Sequence, residues 1–312
     1  MPKMSLHKPG TIDAVIPAYN AMPIVGTTIS ALLEQQLPAG FSLTITVVDD
    51  GSSDNTGEWL KEHFGARILV VRHPSNKGRS ATCNTGAHQG QGQFLLFLDS
   101  DCVPANQRLI LEHIDTISGG AKISCGPIRS EQQGFWPEYQ CRLADRRTRG
   151  LGTADAATAF TTANTIIERS CFDQAGGFNT CYTHYGFEDR DLLLRLQQAG
   201  ASVRYTPAAI VNHDAELNLE TVCAKMRISG QYSSRKFAEQ HPQSYRTMPY
   251  SRIDMRLHPW LRVLSPVSSR ALPYLIRCFE PLLDRNWLPM GLRSALVRLA
   301  SALAYLEGTR HS

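Results

Sequence analysis

The sequence predicts an α/β protein: a mostly parallel sheet flanked by helices, followed by a C-terminal helical extension. Short β-branched runs alternate with amphipathic stretches between residues 11 and 126, the pattern of parallel strands joined by crossover helices. Acidic and small polar residues follow several of these runs, where an open α/β sheet places its ligand. After about residue 240, seven prolines from Pro242 to Pro289 punctuate the chain and predict short helical pieces.

The runs at 12–17, 43–48, 67–72, 93–98 and 121–125 read as strands, because they are short, apolar and bounded by turn formers. Between them, Pro23 opens a helix to about Gln36, Ser53 or Asp54 caps one to about Phe64, and a third fills Gly78 to Gln89. From 127 to 160 the pattern weakens into the Arg-rich QCRLADRRTRG, before a strand-like FTTANTIIE at 160–168. A helix at 189–199 (DRDLLLRLQQA) stops at Gly200, and a strand follows at 202–205.

The division expected is a first unit over 1–225 and a basic, Pro-punctuated helical extension over 226–312, with the boundary between about 225 and 240. Residues 225 to 312 hold 14 Lys/Arg against 5 Asp/Glu, although the whole chain has a net charge of only +4. Near its end, Leu292, Leu296, Leu299, Leu303 and Leu306 repeat at spacings of four and three, which predicts one apolar stripe with Arg293 and Arg298 off it. The plain reading is a helix packed on the first unit. The sharper one is an Arg-rich surface, with Trp260 and Trp287, that rests on an anionic membrane. No reading motif accompanies the charge, so nucleic acid is not an expected partner.

With 312 residues, 42% hydrophobic, the chain can bury a substantial core. Its most apolar run, Phe94 to Leu98, ends at Asp99, far short of a membrane span. Met1 to Gly10 lacks the apolar centre of a secretory signal. The eight cysteines include no pair closer than ten residues, so no zinc ribbon or redox pair is visible. Together these features predict a cytoplasmic protein, peripheral on a membrane if the tail rests there.

The chemistry concentrates after the strands. ProAlaTyrAsn (17–20) follows the first, AspAspGlySerSerAspAsnThr (49–56) the second and AspSerAsp (99–101) the fourth. At a strand end, such an AspSerAsp pair can offer one carboxylate to a ribose hydroxyl and the other to a hard cation such as Mg²⁺ or Mn²⁺. A DxD standing alone reads first as a solvated acidic turn.

It does not stand alone. VIPAYN at 15–20, VVDDGSSDNT at 47–56, NKGRSATCNTG at 76–86, FLDSD at 97–101, GGFN at 176–179 and FEDRDLLLRLQQAG at 187–200 resemble, in order and spacing, the motifs of family 2 glycosyltransferases. The likeness covers about residues 11 to 215. It implies the A-type glycosyltransferase fold, a Rossmann-like, mixed or mostly parallel sheet, with an inverting mechanism and a divalent metal on the diphosphate of a nucleotide-sugar donor.

Carried over by position, Pro17, Ala18, Tyr19 and Asn20 resemble the loop around the nucleotide, and Asp49 or Asp50 the carboxylate that accepts from the base. Lys77, Gly78 and Arg79 open a helix whose first N–H groups suit phosphate. Asp99 and Ser100 fall on the ribose side, and Asp101 on the metal. Of the acidic pair before the LLLRL run, Asp189 is expected as the base that takes the acceptor's proton, with Glu188 holding the acceptor or the loop. A helix-start cap is the plain alternative for both. His213, in AIVNHD, falls where some members place a metal-side histidine. His184 and Tyr185 are candidates to line the acceptor site, and Trp136 to stack on a sugar.

The resemblance implies UDP- or dTDP-sugar as donor and leaves the acceptor open among glycan, lipid-linked saccharide, peptide and small molecule. A sugar nucleotidyltransferase would want a Gly-rich loop after the first strand, which PAYNAMP is not. An inactive scaffold relative would be expected to have lost Asp101 or the acidic pair, and both are present.

Overall fold

The structure is a computed structural model and describes residues 10–150, 160–214 and 217–310. It opens with β1 (Gly10–Ala18), α1 (Ile24–Leu33), β2 (Phe41–Asp49), α2 (Thr56–Phe64), β3 (Leu69–Arg72), α3 (Arg79–Ala87) and β4 (Phe94–Leu98). Next come β5 (Val103–Pro104), α4 (Leu109–Ser118), β6 (Ile123–Cys125), β7 (Ile128–Arg129), α5 (Phe135–Gly150), β8 (Asn164–Glu168) and α6 (Arg169–Gln174). The chain then forms α7 (Glu188–Gln198), β9 (Val203–Tyr205), β10 (Val211–Asn212), α8 (Leu219–Ile228), a π-helical turn (Ser229–Ser233), α9 (Ser234–Gln240) and α10 (Pro242–Thr247). Two long helices close it, α11 (Ser265–Leu283) and α12 (Met290–Arg310).

Seven strands form one sheet in the order β3-β2-β1-β4-β8-β6-β9. β1 pairs in parallel with β2 and β4, and β2 with β3. β8 runs antiparallel between β4 and β6, so the sheet is mixed. All five residues of β4, FLLFL, are buried, because helices cover both faces. Each such side chain contributes about 1.5–3 kcal/mol. The order reverses at β1, and the crevice beyond the carboxyl ends of β1 and β4 is where this architecture binds ligands.

A second sheet, β5-β10-β7, sits at the same end. β10 pairs antiparallel with β5, placing Asn212 opposite Val103, and parallel with β7. This short ladder carries His213 to the AspSerAsp turn, although 112 residues separate His213 from Asp101.

The Arg-rich segment is a helix, α5. The tail departs from its predicted short pieces: Pro273 and Pro281 lie inside the 19 residues of α11. A mid-helix proline removes one hydrogen bond, and the apolar side chains Leu272, Ile276, Phe279 and Leu283, docked on the cluster beneath, outweigh that loss. The leucine stripe of α12 is not its most buried face. Leu292 and Leu299 are each 49% exposed, whereas Val297, Ala300 and Ala304 are wholly buried. The cause is close backbone approach. A Cβ on Gly308 would lie 2.2 Å from the Arg227 carbonyl oxygen, and one on Gly230 would lie 2.5 Å from that of Tyr305. Small residues let α12 press onto α8 and the π-helical turn, while Arg293, expected off the stripe, is buried and donates to the Leu283 carbonyl at 3.0 Å. Tyr245, Met248 and Tyr305 of the tail share one core cluster with Val15, Phe97 and Leu192 of the sheet unit. No helix among the described residues is long and apolar enough to cross a membrane.

Candidate active site

Two loops at the ends of β1 and β2 are laced together. Asn20, with φ +49°, donates its N–H to Ser52 Oγ at 2.9 Å and accepts from the Ser53 N–H at 2.9 Å. Tyr19 stands 52% exposed beside them. Asp50 N–H donates to the Ala18 carbonyl at 2.8 Å, tying the loops at their roots, while Pro17 pairs opposite Val48 one residue before β1 ends at Ala18 opposite Asp49.

The paired aspartates are both buried and differ in what they hold. Asp50 accepts from the Lys77 and Gly78 N–H groups, each at 2.9 Å, and lies 2.7 Å from His73 Nδ1. Both its oxygens are therefore spent on the turn that opens α3. Asp49 accepts from the Ser52 N–H at 2.9 Å through Oδ1. Its Oδ2 has no hydrogen-bond partner among the described residues, with Arg72 Nε 3.4 Å away as charge compensation only. Gly78 has φ +85°, and a Cβ there would meet the Thr183 carbonyl at 2.9 Å, so the loop before the acidic pair lies directly on the start of α3. Lys77 is exposed.

Arg79 joins the strand-end carboxylates to the acidic pair. It donates to Asp99 Oδ1 from Nε at 3.1 Å and Nη2 at 2.7 Å, and from Nη1 to Thr162 Oγ1 at 2.9 Å and Asp189 Oδ1 at 3.2 Å. Thr162 in turn donates to the same Asp189 oxygen at 2.5 Å. Burial pushes the Asp99 carboxyl up, and the Arg79 charge opposes that. Ser100 accepts from Thr28 Oγ1 at 2.8 Å through its carbonyl, which fixes the turn between the two aspartates.

Asp101 faces the other way. Its Oδ2 lies 3.1 Å from His213 Nε2, and His213 Nδ1 lies 2.9 Å from Gln140 Oε1 on α5. Burial raises the Asp101 carboxyl, but the His213 contact outweighs it and the net shift is downward; the same contact raises His213. With Nδ1–H donated to Gln140, a neutral ring turns its Nε2 lone pair toward the carboxylate, so only a proton or a cation between them makes the contact favourable. An imidazole nitrogen beside a carboxylate oxygen is a donor pair suited to Mn²⁺ and, through the oxygen, to Mg²⁺. Among the described residues, no group of three or more His, Cys, Asp or Glu gathers to hold a metal.

Phe187 sets the direction of the acidic pair. Its φ is +72°, a conformation that costs a bulky residue about 1–2 kcal/mol. Packing against Phe237, Tyr245 and Tyr250 holds it there. Glu188 then starts α7 almost fully buried, with Oε2 unpartnered among the described residues. Burial first, and the adjacent Asp189 second, push its carboxyl up to about 7. Asp191 is held by Arg195 at 2.6 Å and by His241 at 2.8 Å, which locks the helix rather than the site.

His184 stacks on Tyr232 of the π-helical turn, centroids 4.0 Å apart and planes 12° from parallel. Tyr185 is 52% exposed, with Lys225 Nζ 5.5 Å from its ring centroid. Trp136 instead packs edge-on to Phe135 and Tyr139 in the tail's core.

A mixed seven-stranded sheet with helices on both faces and acidic residues at its strand ends is the architecture of the A-type glycosyltransferase fold. The family model described as glycosyl transferase family 2 matches residues 13–176, and one described as N-terminal domain of galactosyltransferase matches 149–215. The chain belongs to the family 2 glycosyltransferases.

Among curated proteins, the pre-mycofactocin glycosyltransferase of Mycobacterium tuberculosis is 29% identical over 284 residues, covering 84% of this chain and 59% of that protein. The chain thus spans less than two thirds of that relative's length. The UDP-Glc:alpha-D-GlcNAc-diphosphoundecaprenol beta-1,3-glucosyltransferase WfgD of Escherichia coli is 33% identical over 90 residues, covering 29% of this chain and 34% of its own. Among solved structures, the mannosyltransferase PcManGT from Pyrobaculum calidifontis, in complex with GDP-Man and Mn²⁺, superposes with a TM-score of 0.62 at 16% identity, covering 97% of this chain and 86% of that one.

Proposed function

We propose that the protein transfers a sugar, with inversion, from a nucleotide-diphosphate donor to an acceptor hydroxyl, and that Asp101 and His213 hold Mn²⁺ or Mg²⁺. The observation that carries the reading is the Arg79 bridge, which sets Asp99 and Asp189 on either side of one guanidinium. A bound cation would supply charge neutralisation at the diphosphate leaving group. The remaining steps belong to the chain. The Pro17–Asn20 loop cradles the nucleotide. Asp49, which has an unspent oxygen, is the better candidate of the two for the base, and Asp50 secures the loop. Asp99 and Ser100 take the ribose side, with Lys77 and the first N–H groups of α3 near the phosphates. Asp189 accepts the acceptor's proton through Oδ2, since Thr162 and Arg79 occupy Oδ1. Glu188, buried behind it, positions the pair.

The donor proposed is UDP- or dTDP-sugar, in keeping with the UDP-glucose in the name of the Escherichia coli relative. That relative's diphosphoundecaprenol acceptor, with the exposed Trp260 and Trp287 of the basic tail, favours a lipid-linked saccharide and a protein peripheral on a cytoplasmic membrane face.

Calorimetric titration of UDP, dTDP and GDP, with and without Mn²⁺, tests the reading on the natural protein and Asp101→Ala. The expected result is metal-dependent binding of one nucleotide that the substitution abolishes. Binding of none of them would refute it.

A further inference from the structure

Outside the crevice, the structure holds a basic cleft between α5 and α12. Tyr139, Arg142, Leu143 and Arg146 line one wall, at helical spacings of three, one and three, so they share one face of α5. Gly291, Ser294 and Arg298 line the other, at spacings of three and four. Gln140, which meets His213, points about 100° around α5 from Tyr139, so the cleft and the crevice lie on adjoining faces of one helix.

We propose that this cleft is a phosphate site, and that the phosphate it takes is the headgroup of an anionic lipid. Three exposed arginines, Arg142, Arg146 and Arg298, line a space of about 100 Å³, well below the several hundred Å³ of a drug-sized pocket and so too small for a nucleotide. Planar, multidentate donors of this kind are suited to phosphate. Among the described residues Arg146 and Arg298 have no ion-pair partner, and Arg142 has only the exposed Glu138 four residues earlier, a pair worth little in water. Ser294, 5% exposed, is a further polar residue of the lining. Gly291 leaves the space open, since a Cβ there would meet nothing within 4 Å.

The rim argues for a lipid. Leu292 and Leu299, each 49% exposed, follow the lining residues Gly291 and Arg298 directly, and Trp287, 74% exposed, precedes α12 by three residues. An arginine cleft bordered by exposed leucine and tryptophan matches the headgroup and acyl boundary of a bilayer.

The test uses the full chain. Glycerol phosphate titrated by ³¹P NMR reads phosphate without the lipid, and co-sedimentation with phosphatidylglycerol or phosphatidylcholine vesicles reads the lipid. Arg146→Ala and Arg298→Ala should each weaken phosphate binding at least about tenfold, as loss of a charge-assisted contact implies. Arg252→Ala and Arg277→Ala, each removing one charge from the tail elsewhere, should each leave phosphate binding within about twofold. Unchanged nucleotide binding in all variants shows that they fold, and separates failure here from failure of the transferase reading. Phosphatidylglycerol vesicles should bind, phosphatidylcholine vesicles should not, and the cleft variants should release the protein more than the two controls do. Phosphate binding without vesicle binding overturns the lipid assignment. Phosphate binding that ignores Arg146 and Arg298, or no phosphate binding, overturns the site.

Discussion

Arg79 Nη1 lies 3.2 Å from Asp189 Oδ1 while Nη2 lies 2.7 Å from Asp99 Oδ1, so one side chain fixes the separation of two carboxylates 90 residues apart. Removing it unties both and leaves their charges uncompensated. Arg79→Ala should lower kcat by about 10²–10³-fold, the usual cost of one preorganised electrostatic contact. Arg79→Lys should restore little, because a point charge cannot replace the fork. Arg79 also holds down the Glu188 and Asp99 carboxyls, so the acid limb of the pH–rate profile should move upward in Arg79→Ala and less in Arg79→Lys, which keeps a positive charge there. An unmoved limb would contradict the bridge.

Gln140 accepts from His213 Nδ1 at 2.9 Å and so selects the tautomer that turns Nε2 to Asp101. Gln140→Leu should weaken Mn²⁺ affinity about 10–100-fold, the usual effect of losing a metal ligand's outer partner, and leave metal-free nucleotide binding unchanged. Titration of Mn²⁺ followed by electron paramagnetic resonance reads this directly.

Two buried groups oppose each other in the stability–pH curve. Glu188 rises from 4.5 to about 7 on folding, so its contribution is present below pH 4.5 and lost as pH rises toward 7. His113, buried against Ser124 and Asn164, falls from 6.5 to about 4 because burial disfavours its charged form. Its contribution is present above pH 6.5 and lost as pH falls toward 4. Each shift corresponds to about 3 kcal/mol. Glu188→Gln should therefore gain stability relative to the natural protein as pH rises from 4.5 to 7. His113→Gln, though less stable throughout, should lose the least near pH 4. Thermal melts at half-unit pH steps compare the slopes, and parallel curves would refute both assignments.

Gly126 admits no side chain. A Cβ there would lie 2.0 Å from the Ala209 carbonyl oxygen and 2.3 Å from Asn164 Nδ2, the pair whose 2.8 Å hydrogen bond anchors the approach to β10. Gly126→Ala should cost at least about 2 kcal/mol, in the range of core overpacking. It should also weaken metal-dependent nucleotide binding, since β10 delivers His213. Chemical denaturation and calorimetry measure the two effects.

Much of the fold was legible because its strands announce themselves locally. FLLFL and the runs at 12–17 and 43–48 are apolar, short and bounded by turn formers, and they are β4, β1 and β2. The acidic turns could be placed from the same signal, since a strand end is where the side chains of an α/β sheet leave the core. FTTANTIIE could be read as a strand, but its direction could not. Because β8 runs antiparallel to β4, with Asn164 opposite Leu98, the start of β8 adjoins the end of β4 and Thr162 enters the site. Gln140 lay in a segment whose periodicity is weak, and its partner is 73 residues away.

The sequence by itself determined the strand ends, the order of the acidic motifs and the basic tail, because each is a property of neighbours along the chain. Tertiary structure alone decided which carboxylate Arg79 reaches, that His213 faces Asp101 and that α12 buries its small residues rather than its leucine stripe. Those outcomes depend on strand direction, on the short β5-β10-β7 ladder and on backbone approach at Gly230 and Gly308. Each is a relation between distant segments that exists only once the sheet has closed and the helices have packed on it.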